Sequence, residues 1–254
     1  LLSSRLIKGA APFFFVKRNN LIPIVEQHGI LVTSFETNTD DVDAFSHFVE
    51  TEDSSTYLIA YSSNKTSAAR IHFDIAHELG HICLHEWSED IEALSKEEFK
   101  IREKEANDFA AAFLLPEKTF KKDAEKGQAS IPFYRQLKKE WKVSIAAMIR
   151  RAEKLGIITM EDYQFVIRQM QRRGLRKEEP LDDSLFTAAP ALLKASVLML
   201  LQEKVFTPQE FMDELSFNYG LSINATEVEF LLGLPSGTLA VPKIIEFSSL
   251  QIKR

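Results

Sequence analysis

The feature that most constrains the fold is the pentapeptide His77-Glu78-Leu79-Gly80-His81, an H-E-x-x-H pattern. It lies within 67–85, where apolar residues recur at helical spacing. Residues four apart share one face of a helix, so both imidazoles can reach one metal ion with Glu78 beside them. With six histidines in 254 residues, chance alone would produce the pattern roughly 0.01 times per chain. The motif therefore predicts a metal-binding helix, provided that another part of the chain supplies a third ligand.

The residue types of the motif suit metal-assisted hydrolysis. Two neutral imidazoles favour zinc, and manganese is an alternative because two histidines and a carboxylate do not exclude it. Zinc lowers the pKa of water to about 7, and Glu78 can take the proton during attack on a peptide carbonyl and return it to the leaving amine. We therefore expect a metallopeptidase centre in which His77 and His81 bind the metal and Glu78 is catalytic.

The third metal ligand is expected on the next helical run, 95–115. Glu103 and Asn107 are four residues apart, so Glu103 can ligate the metal while Asn107 hydrogen-bonds a histidine or the substrate. Glu105 is the alternative ligand, although it lies roughly 160° around the helix from Glu103. For both glutamates, the alternative is that they belong to a solvent-exposed acidic start of the helix and bind no metal.

Other polar side chains on the motif helix are expected to have supporting roles. His85 extends the histidine stripe by four residues, but a fourth protein ligand would close the position that a catalytic site keeps for water. We therefore expect His85 to support the ligands or to pack. His72 and Asp74 are candidates for substrate contact, with a solvated helix face as an equal alternative. Cys83 points away from His81, and a buried inert thiol is expected there.

Three short runs before the motif predict strands at 30–35, 45–49 and 56–61, because they are rich in β-branched and aromatic residues and end at turn-forming residues. The third run comes shortly before the motif helix. If it formed a sheet edge, Tyr57, Ile59 and Tyr61 would mark the strand that pairs with an extended substrate peptide. An ordinary interior strand is the alternative.

The chain divides by composition into three expected regions: a peptidase core over 1–128, a basic helical segment over 129–180, and a helical region of unknown role over 181–254. The basic segment predicts two amphipathic helices joined by a tight step, a pair that resembles a helix-turn-helix. In the last region we expect helices at 190–203, 208–217 and 225–232.

Charge is distributed unevenly along the chain. From Arg135 to Lys177 there are twelve Lys and Arg against four Asp and Glu, a local charge of +8, which leaves −14 for the rest of a chain whose net charge is −6. A basic segment of this kind can face DNA or an acidic protein, and a solvated helix pair is the equally weighted alternative.

Several classes of protein are disfavoured. No apolar run approaches the roughly twenty residues that cross a bilayer, and no secretory signal is recognisable. The lone Cys83 cannot form an internal disulfide, which fits a reducing compartment. We therefore expect a cytoplasmic protein without a membrane partner. The chain starts at Leu1 rather than Met, and we expect that a segment, such as a DNA-binding domain, precedes it.

Two segments, 69–85 and 103–116, carry a resemblance to the ImmA/IrrE family of cytosolic metallopeptidases. The resemblance implies that His77, His81 and Glu103 bind the metal and that Glu78 is catalytic. A basic residue often stands at the position of His72. The similarity continues through 137–158 and Glu179-Pro180, and it is looser beyond Pro180.

The resemblance also implies a fold and a function. It implies an α+β, zincin-like core with a small twisted sheet against the motif helix, followed by accessory helices. It further implies a zinc-dependent endopeptidase that cleaves a helix-turn-helix repressor of the XRE type and thereby relieves repression. Longer members carry an XRE-type DNA-binding domain before the peptidase, so this chain would be the peptidase part of a longer regulator.

A rival hypothesis is a DNA-binding transcriptional regulator whose metal site is sensory or inactive. The basic segment at 135–177 and its helix pair favour it. However, the pair lacks an obvious row of base-reading Asn, Gln and Arg on one face, and a structural metal site would not require Glu78. A scaffold role for the C-terminal helices is compatible with either hypothesis.

Overall fold

The computed structural model describes residues 21–36, 42–51, 53–64, 67–86 and 94–240. Within them, three strands and ten helices form the predicted α+β fold. In chain order they are α1 (Leu21–Gln27), β1 (Leu31–Phe35), β2 (Ala44–Glu50), β3 (Ser55–Ser62), α2 (Ala68–Leu84), α3 (Lys96–Leu114), α4 (Glu117–Ala124), α5 (Ile131–Trp141), α6 (Ile145–Lys154), α7 (Met160–Arg172), α8 (Leu192–Gln202), α9 (Pro208–Phe217) and α10 (Ala225–Leu232). None of the described helices combines the length and the apolar character needed to cross a membrane.

The sheet has the order β1-β3-β2, with β1 parallel and β2 antiparallel to β3. The predicted sheet edge at 56–61 is therefore wrong, because β3 is the central strand and pairs on both sides. Ile59, for example, lies opposite Val32 of β1 and Ser46 of β2. The C-terminal half of β3 is buried, which suits a central strand. Position within a sheet depends on these pairings, and the order of elements along the chain does not reveal them.

Helix α2 packs against the sheet and against α3, and small residues allow the two helices to approach closely. A Cβ atom added to Gly80 would lie 3.0 Å from the Cα of Ala106 and 3.2 Å from the Phe109 ring. Ala106 and Ala110 of α3 are fully buried. The glycine inside the H-E-x-x-H motif therefore allows the motif helix, α2, to contact the helix that carries Glu103.

The basic helix pair, α5 and α6, belongs to the same compact unit as the sheet. That unit spans residues 1–192, whereas the second unit spans 193–254. The hydrophobic core of the first unit runs from Ile22 of α1 through Ile59 and Leu79 to Trp141 of α5 and Met148 of α6. The division at Leu192 thus differs from the expected regions, which separated 129–180 from the core and placed a boundary at residue 180.

The second unit has an apolar cluster of its own. Its buried members are Val197, Val228, Leu234 and Leu239. Glu229 is buried as well and accepts hydrogen bonds from the backbone N–H groups of Gly237 and Leu239. The carboxylate thereby ties the chain that follows α10 back onto that helix.

Candidate active site

One face of α2 lies along a cavity of about 630 Å³. The residues of α2 and its C-cap that line it recur at helical spacing: Arg70, Phe73, Asp74, His77, Glu78, His81 and the C-cap His85. Fifteen residues separate the first from the last, which corresponds to about 22 Å along the helix axis. A groove of that length matches roughly six residues of an extended peptide.

The side chains of His77, His81 and Glu103 converge beside this cavity. The two Nε2 atoms are 3.0 Å apart, and the Glu103 carboxylate oxygens lie 3.4 Å from His77 Nε2 and 3.2 Å from His81 Nε2. A tetrahedral ion with bonds of about 2.0 Å holds its ligand atoms about 3.3 Å apart. The three residues thus fit one divalent cation, and they form the only such group of His, Cys, Asp and Glu among the described residues.

Electrostatics favour the neutral, metal-binding form of His81. Burial lowers the pKa of His81 to about 4, and repulsion from His77, His85 and Arg102 acts in the same direction. An imidazole with that pKa is unprotonated near neutral pH and has a lone pair for a metal. The buried Nδ1 of His77 has no hydrogen-bond partner among the described residues.

Glu78 is nearly buried, at 9% exposed, and lies beside the His77, His81 and Glu103 group. Burial raises the pKa of its carboxyl group, although a hydrogen bond from Ser46 opposes the shift. The Ser46 hydroxyl donates to Glu78 Oε2 over 2.6 Å. A raised pKa suits a group that must both take up and release a proton. Ser46 was not predicted as a site residue, because only the antiparallel register of β2 brings it above α2.

The strand that borders the cavity is β2, and among the described strands it pairs with β3 alone. The Ser62 N–H donates to the Asp43 carbonyl, so in an antiparallel ladder the alternate residues, Ala44 and Ser46, direct their backbone groups towards the open edge. The Ser46 N–H also donates a hydrogen bond to the Glu78 carboxylate. The open sheet edge at the site is therefore β2, whereas Tyr57, Ile59 and Tyr61 of β3 do not line the cavity.

Asn107, one of the expected supporting residues, lines the cavity. Its Nδ2 donates to the backbone carbonyl of Glu103 over 2.7 Å, so its amide group bonds to its own helix and not to a histidine. Its predicted contact with the substrate stays a prediction.

His85 and Glu105 meet each other at the edge of the ligand group. His85 Nδ1 is 2.9 Å from His81 Nδ1, and His85 Nε2 is 3.3 Å from Glu105 Oε2. The structure therefore does not bring Glu105, the alternative ligand, into the group formed by His77, His81 and Glu103.

Two further residues of α2 have different environments. His72 is 3% exposed and hydrogen-bonds the Thr187 hydroxyl over 2.9 Å, so it has a structural environment and does not line the cavity. Asp74 does line it and forms an ion pair with Arg70, which also pairs with Asp43. Burial raises the pKa of the Cys83 thiol to about 11, which agrees with the expected inert thiol.

Comparison with known families assigns the part of the chain that holds this site. Residues 25–153 match the Peptidase_M78 family, described as the IrrE N-terminal-like domain, and this range is half of the chain. The chain belongs to the Peptidase_M78 family. The matched range contains all of α2 and α3, and membership of this metallopeptidase family implies a metal ion. In the described residues, His77, His81 and Glu103 are the group that can hold it.

Among solved structures, the Peptidase_M78 chain is similar to a Mycobacterium tuberculosis transcriptional regulator. The identity is 22% and the TM-score is 0.35, and the match covers 51% of this chain. It spans only 38% of the regulator's length. No curated protein matches the chain.

The basic segment of this M78 protein is not a continuous cationic surface. Lys138 is fully buried between Glu179 and Asp182, at 2.8 and 2.7 Å. Lys142 Nζ donates to the Phe186 carbonyl. Arg151 and Lys154 also have partners in the fold, the Leu115 carbonyl and Asp108. Part of the local positive charge therefore stabilises the fold.

Proposed function

We propose that this chain is a zinc-dependent endopeptidase of the HExxH-plus-Glu type, with manganese as the alternative metal. The observation that carries the proposal is the convergence of His77, His81 and Glu103 beside an elongated cavity, next to the nearly buried Glu78. Three protein ligands leave a coordination position for a reacting group, as catalytic sites require and closed structural sites do not.

The bound metal would supply Lewis acidity, which lowers the pKa of water and polarises a peptide carbonyl. Glu78 would accept the proton of the attacking water and deliver it to the departing amine. The raised pKa of Glu78 serves the first half of this cycle, because a carboxylate with a higher proton affinity is a better base. Ser46 holds the Glu78 carboxylate in place from the strand side.

An extended polypeptide is the substrate shape that the cavity favours. Such a peptide would lie along α2 and pair with the open edge of β2 at the backbone of Ala44 and the carbonyl of Ser46, since the Ser46 N–H is bonded to Glu78. Phe45 and Phe99 line the cavity with 45% and 48% of their surface exposed, so they provide apolar contacts for substrate side chains. The substrate must present an accessible extended segment, which excludes most of a folded protein's surface.

The proposed biological substrate is a helix-turn-helix repressor of the XRE type in the cytoplasm, whose cleavage relieves repression. This part of the proposal is supported by the resemblance to the ImmA/IrrE family.

The experiment that tests the proposal is incubation of the zinc-loaded chain with the repressor encoded beside its gene. We expect a single cut that Glu78→Gln removes, with a rate loss of at least about 100-fold. Glu97→Gln, the same change on the exposed first turn of α3, is the matched control and should cut normally. Cleavage that persists in Glu78→Gln, or no cut by the zinc-loaded wild type, would contradict the proposal.

DNA binding is the second candidate function, and the exposed arginines at the end of α7 favour it. Arg168, Arg172, Arg173 and Arg176 are all exposed. If they contact phosphates, affinity for duplex DNA falls steeply with salt, and replacing Arg172 and Arg173 by Gln reduces that salt dependence while His77→Ala leaves it unchanged. No measurable binding at low salt would eliminate this candidate.

A further inference from the structure

A chain of three polar side chains leads from the ligand group towards the surface. His81 directs Nε2 towards His77 and Glu103, and it directs Nδ1 towards His85. His85 in turn places Nε2 next to Glu105 Oε2, at 3.3 Å. The order of contacts is thus Glu105, His85, His81 and then the metal-binding group.

The chemistry of these groups determines where the protons lie. An ionised carboxylate only accepts hydrogen bonds, so His85 Nε2 must carry the proton that it shares with Glu105. In a neutral imidazole, the other nitrogen of His85, Nδ1, is then an acceptor. His81 Nδ1 lies 2.9 Å from this acceptor and must therefore be the donor, which leaves His81 Nε2 as an unprotonated lone pair.

We propose that Glu105 and His85 are positioning residues that fix His81 in the tautomer which binds the metal. The proposal rests on the proposed metallopeptidase function and deepens it. Carboxylates or carbonyls commonly orient metal-binding histidines directly. In this chain, the His85 imidazole lies between the Glu105 carboxylate and His81. The carboxylate therefore determines which nitrogen carries the proton first in His85 and then in His81.

The environment of His77 shows that this support is specific to one ligand. His77 Nδ1 is buried and has no hydrogen-bond partner among the described residues. His81 therefore has an outer partner that selects its tautomer, whereas His77 does not. We infer that His81 is the preorganised ligand of the pair.

Glu105 and Glu103 contact different histidines, which explains why Glu105 is proposed to position His81 while Glu103 is proposed as a ligand. Both glutamates lie on α3, but only Glu103 reaches the two Nε2 atoms. Glu105 meets α2 one turn beyond His81, at His85. The residue that competes with Glu103 as a ligand in the sequence thus contacts the far end of the histidine stripe.

The test measures the imidazole tautomers of the metal-free chain of residues 1–254 by long-range ¹⁵N–¹H correlation NMR, and the zinc affinity by chelator competition. The wild type is expected to show His81 as the Nδ1–H tautomer and His85 as the Nε2–H tautomer. Glu105→Leu should mix the tautomers of both rings and weaken zinc binding about tenfold. Glu105→Gln should preserve most of the affinity, because its amide oxygen can still accept the proton of His85.

Two comparisons keep the test decisive. Glu97→Leu, on the exposed first turn of the same helix, controls for loss of a glutamate from α3 and should change neither measurement. Removing the relay in His85→Phe should affect zinc binding at least as much as Glu105→Leu. If His81 is the Nε2–H tautomer in the wild type, or if Glu105→Leu matches Glu97→Leu in both measurements, the proposal is wrong.

Neither measurement uses a substrate, so failure of this inference is distinguishable from failure of the peptidase proposal. Unchanged tautomers together with a cut that Glu78→Gln removes would overturn only the positioning role. A correct tautomer pattern in a chain that cuts nothing would overturn only the peptidase function.

Discussion

The helix pairs α2–α3 and α5–α6 both carry many ionisable side chains, but they use them differently. On α2 and α3, the side chains of His77, His81 and Glu103 converge beside an open cavity. On α5 and α6, charged groups are neutralised inside the fold, most clearly where Lys138 meets Glu179 and Asp182. A high density of charge is thus a weak indicator of function until the partners of each charge are known.

The two acidic partners of Lys138 have further structural bonds. Glu179 accepts hydrogen bonds from the N–H groups of Ile145 and Ala146, so its negative charge sits at the N-terminus of α6. Asp182 accepts a hydrogen bond from Ser67, the residue that precedes α2. This ion-pair network therefore connects the basic helix pair to the start of α2.

The largest expected effect would show that Lys138 is structural. Lys138→Ala leaves two partly buried carboxylates, Glu179 and Asp182, without their cation and should lower the free energy of unfolding by about 3 to 5 kcal/mol. Urea denaturation measures the change, with Lys139→Ala, an exposed neighbour, as the control that should stay within about 0.5 kcal/mol. Equal stability of the two variants would remove the distinction between the helix pairs.

The free energy of unfolding should depend on pH because of His72, a residue of α2 that interacts with Lys142 at the end of α5. Burial lowers its pKa to about 4, with Lys142 also opposing the charged form and a backbone hydrogen bond to Lys142 favouring it. The unfolded chain protonates near pH 6.5, so the stabilising contribution is complete above that pH and is lost as pH falls towards 4. The largest loss is about 3 kcal/mol.

This dependence is measured by comparing the wild type with His72→Asn, which cannot titrate. The difference between their unfolding free energies should change between pH 7.5 and pH 4.5, to the disadvantage of the wild type at acid pH. Parallel pH profiles would show that His72 is not buried in its neutral form.

Replacing Glu103, the proposed third metal ligand, tests the role of the α2–α3 pair. Glu103→Ala should weaken zinc binding by more than about 100-fold, since loss of a direct ligand exceeds the effect of an outer partner. Its effect on folding should be small, because the Glu103 side chain is 37% exposed. Isothermal titration with zinc measures the affinity, and Asp108→Ala on the same helix should leave it unchanged. Equal affinities would exclude Glu103 from the site.

The smallest expected effect concerns Ser46, whose hydroxyl donates a hydrogen bond to Glu78. Ser46→Ala removes one hydrogen bond to the Glu78 carboxylate and should lower kcat/KM about tenfold. Zinc affinity should not change. A loss of zinc binding in this variant would mean that β2 supports the metal-binding residues themselves and not the proton-transferring group.

Much of the fold was predictable because local patterns determine it. The three strands and helices α2, α3, α8, α9 and α10 lie within two residues of their predicted bounds, and the helix pair in the basic segment corresponds to α5 and α6. Helices α1, α4 and α7 were not predicted. For α7 the signal was present, since Thr159 and Asp162 form a capping box, but the box has Asp where Glu or Gln is usual.

The parts of the site that escaped prediction depend on contacts between distant segments. Spacing of four residues is enough to place His77 and His81 on one face. By contrast, the pairing of β2 with β3 decides that Ser46 lies over Glu78 and that β2, not β3, is the open edge. The contact between Glu105 and His85 likewise depends on how α2 and α3 cross, which periodicity within one helix does not reveal.

The central claim is that α2 and α3 form an open, three-ligand metal site, and X-ray absorption spectroscopy of the zinc-loaded chain tests it most directly. We expect one zinc per chain, bound by two imidazole nitrogens, one carboxylate group and a non-protein ligand, in the wild type and in Glu78→Gln alike. A site closed by a third imidazole from His85, or zinc that binds equally well after His77→Ala, would contradict it.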